Sequence, residues 1–397
     1  MRQVCERCPG GLLHFRAMKR ILRLFALALV FLWQGPVHAE VDNLYAAEVP
    51  VADDTQAVRN QALRQVMRLV LVRLSGSTQV AGNPAVASML GRAPALVQQF
   101  RYRLEQAVPG AERAPQRYLW ARFDKAGLDR LMRSAGVPVW GANRPRVLIW
   151  LAAERAGQRQ LLSLEDSRAE GEALRTRADA RGMPLQLPLM DLLDQSALSA
   201  ADLWAGYEAA IREASVRYPH EVILTGRLRN LGGRWEAQWT LWDGDNTESF
   251  TARGRCRKDA ILAGIDTAQD LLAAHYAPVA SGDGPGRLRV RFTGVDSLPA
   301  YGRLMQIIGE QDGITRVNVR ASQAENLYLD LWVRGGENAL TRILSLGGEL
   351  FLVPREQLPV ETAVQQMPQD AGQIPQAEQS LPVDLTFSYL PTVSGSR

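Results

Sequence analysis

The chain has 397 residues and a formal net charge of +4, with 46 basic against 42 acidic side chains. Residues 1–39 hold six of the basic side chains and one of the acidic ones, so the rest of the chain is close to neutral. This balance argues against a protein that binds nucleic acid or anionic lipid through its overall charge. One cysteine remains after residue 39, Cys256, so that part of the chain has no internal disulfide.

A secretory signal peptide is predicted at residues 18–39. A basic n-region is followed by an uncharged apolar run of ten residues, Leu24–Trp33. Residues 37–39, Val-His-Ala, then place small side chains at −3 and −1 of a cleavage site before Glu40. The apolar run is much shorter than the roughly 20 residues that cross a bilayer. We therefore expect a mature periplasmic chain without an integral membrane span.

Residues 1–17 are interpreted as an over-extended start. A signal peptide begins at its initiator, which favours Met18 over Met1 as the first residue. The pair Cys5-x-x-Cys8 would otherwise suggest a redox or metal site, but it lies upstream of the signal peptide. We therefore assign it no role in the mature protein.

An N-terminal α+β domain is predicted at residues 44–141. Apolar residues from Val58 to Leu74 recur at the spacing of an amphipathic helix. Residues 117–123 alternate in polarity like a strand, with Tyr118, Trp120 and Arg122 on one side. Further strands are predicted at residues 45–51 and 101–105, and a second long helix at residues 125–135.

A central α/β domain with a three-stranded meander is predicted at residues 146–278. Its first strand, residues 146–152, is a continuous apolar run of the kind buried inside a sheet. Glycines at 232, 233 and 244 mark the turns of the meander. The other predicted strands are residues 185–190, 221–229, 234–242 and 249–255, and the predicted helices are 167–181, 199–218 and 259–276.

The third predicted domain covers residues 287–354 and has the element order β-α-β-β-α-β, which indicates a ferredoxin-like split βαβ arrangement. The whole chain is thus predicted to be multi-domain α+β, with small mixed or antiparallel sheets packed by helices. Residues 355–397 are rich in Gln and Pro, and we expect them to be disordered. Within this tail, Val383–Leu390 is either an incidental apolar island or a short strand-forming docking motif.

Three segments of the chain carry a family resemblance. They are VPVADDTQAVRNQALRQVMRLVLVRLSG from Val49, RYLWARFDKAGLDRLMRSAGVPVWGANRPRVLIWL from Arg117 and ILTGRLRNLGGRWEAQWTLWDG from Ile223. They resemble an uncharacterised gammaproteobacterial envelope family catalogued as domain of unknown function 2066. The resemblance runs from Val49 to about Pro354, and WGANRPR is its most specific piece. Since the family has no established activity, the resemblance implies no catalytic or binding residues.

Catalytic chemistry finds little support in the sequence. After residue 39 the chain has two histidines, His220 and His275, and neither has a cysteine or second histidine at metal-ligand spacing. No phosphate-binding glycine motif is present. The carboxylates of Asp191 and Asp194 are interpreted as solvated charges. We therefore expect a non-enzymatic protein with no cofactor and no metal.

The first candidate site is the connector between the first two domains, Trp140–Arg146. Trp140, Arg144 and Arg146 lie beside Gly141, which allows a sharp bend, and Pro145, which fixes φ, so together they are able to form a rigid recognition corner. In the alternative, which we favour, Trp140 plugs a domain boundary and both arginines pair with nearby carboxylates.

The second candidate site is one face of the third sheet. Period-two alternation turns five side chains away from the helices, namely Arg289, Arg291, Tyr328, Asp330 and Trp332. Arginines beside aromatics resemble the base-stacking face of RNA-recognition modules. The predicted export and the near-neutral charge argue against nucleic acid, so we expect this face to hold another domain or a protein partner.

Together these features predict an exported, non-enzymatic binding or adaptor protein of the bacterial cell envelope, with another envelope protein as its partner. One alternative is an envelope hydrolase with an unrecognised active site, which requires catalytic side chains that converge in a pocket. The other is a peptidoglycan- or polysaccharide-binding module, which requires tryptophans that line an open groove, drawn from Trp140, Trp204, Trp235, Trp239 and Trp242.

Overall fold

The computed structural model describes residues 43–105, 116–164, 167–244, 246–277, 285–346, 348–354 and 382–390. Helices pack against three small mixed or antiparallel sheets, so the predicted α+β class is confirmed. The predicted start and signal peptide, residues 1–39, lie outside the described residues.

The N-terminal module is a three-stranded sheet with its helices. Its strands are β1 (Ala46–Val51), β2 (Val97–Leu104) and β3 (Arg117–Phe123), antiparallel in the order β1-β3-β2. Its helices are α1 (Gln56–Ser75), α2 (Pro84–Leu90), α3 (Ala93–Leu96) and α4 (Lys125–Ser134), and a 3₁₀ turn spans Thr78–Gly82. The apolar stripe of α1 packs on the inner face of the sheet, where Met67 and Phe123 are buried.

The central module is a sheet with helices on both faces. Its strands are β4 (Val147–Arg155), β5 (Gln158–Leu161), β6 (Leu185–Gln186), β7 (Val222–Leu231), β8 (Arg234–Asp243) and β9 (Asn246–Gly254), in the order β5-β4-β7-β8-β9 with β6 beside β4. Helices α5 (Arg168–Arg181) and α9 (Arg257–Tyr276) cover one face. Helices α6 (Leu192–Ala197), α7 (Ala200–Ala205) and α8 (Glu208–Ser215) cover the other. Cover on both faces explains the continuous apolar run of β4.

Two predicted elements of this module differ from the structure. The predicted helix at residues 199–218 is divided into α7 and α8, because Gly206 adopts a left-handed conformation that ends α7. The predicted strand at residues 185–190 is confined to β6, and the chain after it turns into α6. The path of residues 187–198, which includes α6, was therefore not predicted from the sequence.

The C-terminal module is a five-stranded sheet with two helices. Its strands are β10 (Gly286–Thr293), β11 (Ile314–Gln323), β12 (Asn326–Val333), β13 (Leu350–Leu352) and β14 (Leu385–Tyr389), in the order β11-β12-β10-β14-β13. Its helices are α10 (Leu298–Gly309) and α11 (Gly336–Ser345). The order of the first four strands along the chain is compatible with the predicted ferredoxin-like arrangement, and β10 and β12 are neighbours as expected.

Strand β14 shows that the expectation of a disordered tail was wrong for residues 385–389. It lies between β10 and β13, parallel to the first and antiparallel to the second. Its alternating residues Phe387 and Tyr389 are buried in the core, and the Phe387 ring stacks on Phe292 with centroids 5.8 Å apart. The apolar island thus supplies two side chains to the core of the C-terminal module. Residues 355–381 and 391–397 lie outside the described part of the chain.

The modules belong to one compact unit, residues 39–392. The N-terminal and central modules touch where the Asp270 carboxylate of α9 accepts hydrogen bonds from the backbone N–H and the hydroxyl of Thr78, at 2.9 and 2.7 Å. Among the helices that the structure describes, none is both long and apolar enough to cross a membrane.

Candidate binding surfaces

The connector side chain Trp140 is buried at the boundary between modules. Its ring stacks on Tyr276 of α9 with centroids 6.2 Å apart, and its indole lies against Gly76 at the end of α1. A Cβ atom on Gly76 would lie 2.6 Å from the Trp140 ring, so only glycine fits there. Trp140 therefore plugs the boundary, as the structural alternative predicted.

Arg144 is also buried, with 3% of its surface exposed, and no carboxylate among the described residues pairs with it. Its guanidinium instead donates to five main-chain carbonyls, those of Arg73, Trp140, Gly141, Arg181 and Gly182. Those of Arg73 and Arg181 belong to the last turns of α1 and α5, where carbonyls lack partners within their helix. Burial, with two arginines nearby, lowers the pKa of Arg144. The predicted carboxylate pairing of Arg144 was wrong, because helix ends supply the acceptors.

Arg146 forms the ion pair that was predicted for it. Its Nη2 lies 2.5 Å from Oε1 of Glu221, and its backbone N–H donates to the same carboxylate at 2.7 Å. This contact raises the pKa of Arg146. The backbone at Gly141 of the same connector does not form the predicted sharp bend. A Cβ atom there would collide with the carboxylate of Asp312 in the C-terminal module. The connector side chains are thus occupied by internal contacts.

The outer face of the C-terminal sheet is not the jointly exposed cluster that the second candidate required. Tyr328 is 8% exposed and Asp330 is 2% exposed. Arg287 donates to Asp330 at 2.7 Å and lies over the ring of Trp332, which is half-buried. The prediction of a jointly exposed cluster was wrong, because side chains of neighbouring strands, such as Arg287, cover one another on this face.

The two remaining arginines of this candidate are half-buried. Arg289 forms a two-pronged contact with Asp384, at 2.8 and 3.2 Å, which ties β10 to the segment that leads into β14. Arg291 lies beside Thr386 across the β10–β14 pair, and its buried Nε has no hydrogen-bond partner. This face is therefore part of how β14 docks, and it is a weaker candidate for an external partner.

His275 and three of the five candidate tryptophans do not form the arrangements that the alternative functions required. His275 Nε2 lies 3.0 Å from Glu248, its Nδ1 lies 3.9 Å from Asp243, and no hydroxyl or thiol is among these contacts. Three of the five tryptophans proposed for an open groove are buried instead, namely Trp140, Trp239 and Trp242.

A surface that the sequence did not predict lies on the central module. Leu189, Leu192 and Leu193 are 54%, 83% and 65% exposed, all within or just before the short helix α6. We call these three residues the leucine knob. Val216, in the turn after α8, is also strongly exposed on the same layer of helices. Three large apolar side chains this exposed between residues 189 and 193 make the segment a candidate interaction surface.

A buried carboxylate holds the leucine knob in place. Asp194 accepts hydrogen bonds from the backbone N–H of Met190 at 2.8 Å and from the hydroxyl of Tyr218 at 2.6 Å. The same Tyr218 oxygen accepts from the backbone N–H of Leu189 at 3.0 Å. Met190 adopts a left-handed conformation, with φ of 55°, that is costly for a residue other than glycine. The interpretation of Asp194 as a solvated charge was therefore wrong.

Arg217 completes this network from outside. It contacts Asp191 through two hydrogen bonds of 2.7 Å and Asp194 through one of 3.0 Å. The Arg217 guanidinium, with backbone N–H groups at the start of α6, lowers the pKa of Asp191 to about 2. The Asp191 carboxylate is therefore charged at neutral pH, as its contact with Arg217 requires. Its sequence signal was the spacing of Leu189, Leu192 and Leu193 around two aspartates, but only the fold shows which side of α6 faces solvent.

Comparison with known proteins reaches the N-terminal module. Residues 39–141 match the model of DUF8605, a domain of unknown function. The predicted family was therefore wrong, because DUF8605 is a different domain of unknown function from 2066. No curated protein matches the chain. The DUF8605 match spans β1–β3 and α1–α4, and it ends at the connector that carries Trp140.

Proposed function

We propose that the protein is an exported, non-enzymatic binding or adaptor component of the bacterial cell envelope, and that it holds another envelope protein through the leucine knob. The observation that carries the proposal is the exposure of Leu192 and Leu193 on a backbone that the Asp194 network holds rigid. Exposed apolar clusters on rigid supports mark protein interaction sites, since their burial stabilises a complex with little ordering cost.

The chemistry around the knob favours a protein partner over a lipid surface. Peripheral binding to anionic lipid combines apolar insertion with cationic side chains. Arg217, the cationic side chain beside the knob, pairs with Asp191 and Asp194, so its charge is balanced. Asp191, at the start of α6, is itself partly exposed on this surface. The partner that fits is a protein with an apolar groove, into which leucines of a short helix insert.

The rigid join between modules supports an adaptor role. The five carbonyl contacts of Arg144 and the Trp140–Tyr276 stack fix the N-terminal module against the central one. A partner bound at the knob is therefore held at a fixed position relative to the DUF8605 segment. This geometry suits a component that positions one protein relative to another surface.

Photocrosslinking in intact cells tests the proposal. A photoreactive amino acid replaces Leu192 in one strain and Leu231 in another, since Leu231 is an exposed leucine on the β7–β8 hairpin. We expect a discrete protein adduct from position 192 and none from position 231. A Leu193→Asp substitution in the first strain is expected to abolish the adduct.

Two outcomes contradict this function. The first is that position 192 forms no adduct with any protein. The second is that positions 192 and 231 give the same adducts. Thermal melts of the Leu193→Asp chain are the folding control. We expect a melting temperature close to that of the unaltered chain, because a mostly exposed side chain contributes little to stability.

A further inference from the structure

The outer face of the N-terminal sheet carries a cluster of arginines and aromatics away from the leucine knob. The inner face packs on α1, and Leu119 and Ala121 of β3 are buried there. On the outer face, Arg101 is exposed and Trp120 and Arg122 are half-buried. Antiparallel pairing places Arg101 of β2 directly opposite Trp120 of β3.

Two guanidinium groups share the ring of Trp120. The Cζ of Arg101 lies 4.6 Å from the ring centroid, and that of Arg122 lies 5.6 Å from it. Contacts of this kind are attractive and limit the freedom of a long side chain. Trp120 therefore holds both guanidinium groups near one place before any ligand arrives.

Neither of these arginines is neutralised by an acid in the part of the chain that the structure describes. Arg122 donates only to the side-chain oxygen of Asn43, at 3.0 Å, and Arg101 has the ring as its contact. Arg103, two residues along the same strand, differs because it pairs with Glu48 at 2.8 Å. Both guanidinium groups thus keep N–H donors that no described carboxylate engages.

An open concavity surrounds these groups. Asn43, Gln98, Gln99 and Phe100 line it together with Arg101, Trp120 and Arg122. Asn43 is fixed in a left-handed conformation, with φ of 63°, and its main-chain oxygen accepts a hydrogen bond from Arg73 at 3.0 Å. A register shift at Gln98 bends β2 beside it. The side-chain oxygen of Asn43 is held by Arg122, and the shift at Gln98 sets where β2 presents Gln98 and Gln99.

We propose that this concavity binds an acidic glycan, a saccharide chain whose sugars carry carboxylate or phosphate groups. Guanidinium forks match such oxyanions in two-pronged geometry. The amides of Asn43, Gln98 and Gln99 both donate and accept, which is what sugar hydroxyls require.

The same contacts disfavour the other polyanions. Single-stranded nucleic acid is bound by stacking of bases on free aromatic faces. Here the guanidinium of Arg101 lies over the indole of Trp120, so that face of the ring is not free to stack on a base. A phospholipid surface presents phosphates without the hydroxyl-rich ring that three neighbouring amides fit. An acidic glycan alone uses both the guanidinium groups and the amides of the lining.

Titration calorimetry with the purified full chain tests this site. The probes are hexagalacturonate for carboxylates, a pentamannose phosphate for phosphate, and the methyl ester of hexagalacturonate as a neutral control. We expect at least one acidic probe to bind at least tenfold more tightly than the ester. Arg101→Ala and Arg122→Ala are each expected to weaken it roughly tenfold. Arg234→Ala, at an exposed arginine of β8, is the matched control and leaves binding unchanged.

Three outcomes overturn the proposal. Both acidic probes bind no better than the neutral ester; Arg101→Ala and Arg122→Ala bind as well as Arg234→Ala; or hexathymidylate or phosphatidylglycerol vesicles bind as tightly as the acidic glycans. Circular dichroism confirms that each variant is folded. The site is independent of the leucine knob, so a failure here leaves the crosslinking result at Leu192 intact.

Discussion

Arg144 Nη2 donates a 2.7 Å hydrogen bond to the main-chain oxygen of Arg73 in the last turn of α1. The other guanidinium branch reaches the carbonyls of Arg181 and Gly182 at the end of α5. One buried side chain thus closes two helix ends from different modules. The connector run WGANRPR therefore has a structural role at this join.

Replacing Arg144 tests how much this join contributes to stability. Arg144→Met removes a charged donor from five buried carbonyls at the join, and we expect a loss of about 3–5 kcal/mol in the free energy of unfolding. Arg144→Lys should recover only part of it, because an ammonium lacks the planar fork. Urea unfolding measures both, with the exposed Arg234→Ala as control, expected to stay within about 0.5 kcal/mol. A wild-type midpoint for Arg144→Met would contradict a structural role.

Strand β14 should be needed for the stability of the C-terminal module. Phe387→Ala removes a fully buried ring that stacks on Phe292, and we expect a loss of about 3–5 kcal/mol. Leu390→Ala, at a mostly exposed leucine next to the strand, is the matched control. Thermal melts compare the two variants. Equal melting temperatures for Phe387→Ala and wild type would show that the tail does not dock in solution.

Trp332 occupies a position between core and surface. Its half-buried ring lies between the guanidinium groups of Arg287 and Arg316, 5.8 and 4.8 Å from its centroid. We expect Trp332→Ala to cost roughly 1–2 kcal/mol, through lost packing and cation–π contacts. Tyr328→Ala on the same face should cost more, because Tyr328 is buried. A neutral Trp332→Ala melt would indicate that the face is freer than its contacts imply.

The support of the leucine knob should depend on pH in the acid range. Because Arg217 lowers the pKa of Asp191 to about 2, its charge stabilises the folded loop above the ordinary carboxyl pKa near 4. That contribution is lost as the pH falls toward the folded pKa. NMR titration of the Asp191 carboxyl should give a midpoint near 2, and Arg217→Ala should raise it. A midpoint near 4 in the unaltered chain would show that the ion pair does not form.

The sequence predicted most elements because their signals are local. The apolar stripe of α1, the alternating polarity of β3 and the continuous apolar run of β4 are each visible within one element, without reference to its neighbours. The position of β14 was not readable in the same way. Its partner β10 lies about ninety-five residues earlier in the chain, and no local pattern specifies that pairing.

The surfaces were harder to predict because exposure is a tertiary property. Alternation correctly placed Tyr328 and Asp330 on the outer face, but it did not show that arginines from neighbouring strands cover them. The leucines of α6 would be expected in a core by residue type alone. The two arginines over Trp120 come from different strands, so their convergence required the β2–β3 register.

The proposed function is tested most directly by the native size of the protein in envelope extracts. If the leucine knob holds a partner, the unaltered chain elutes from a sizing column as an assembly larger than the free chain. The double variant Leu192→Asp/Leu193→Asp should elute at the size of the free chain, while Leu231→Asp, at an exposed leucine elsewhere, keeps the assembly. Elution of the unaltered chain at its free size, or an assembly that survives the double variant, would contradict the proposed adaptor role of the knob.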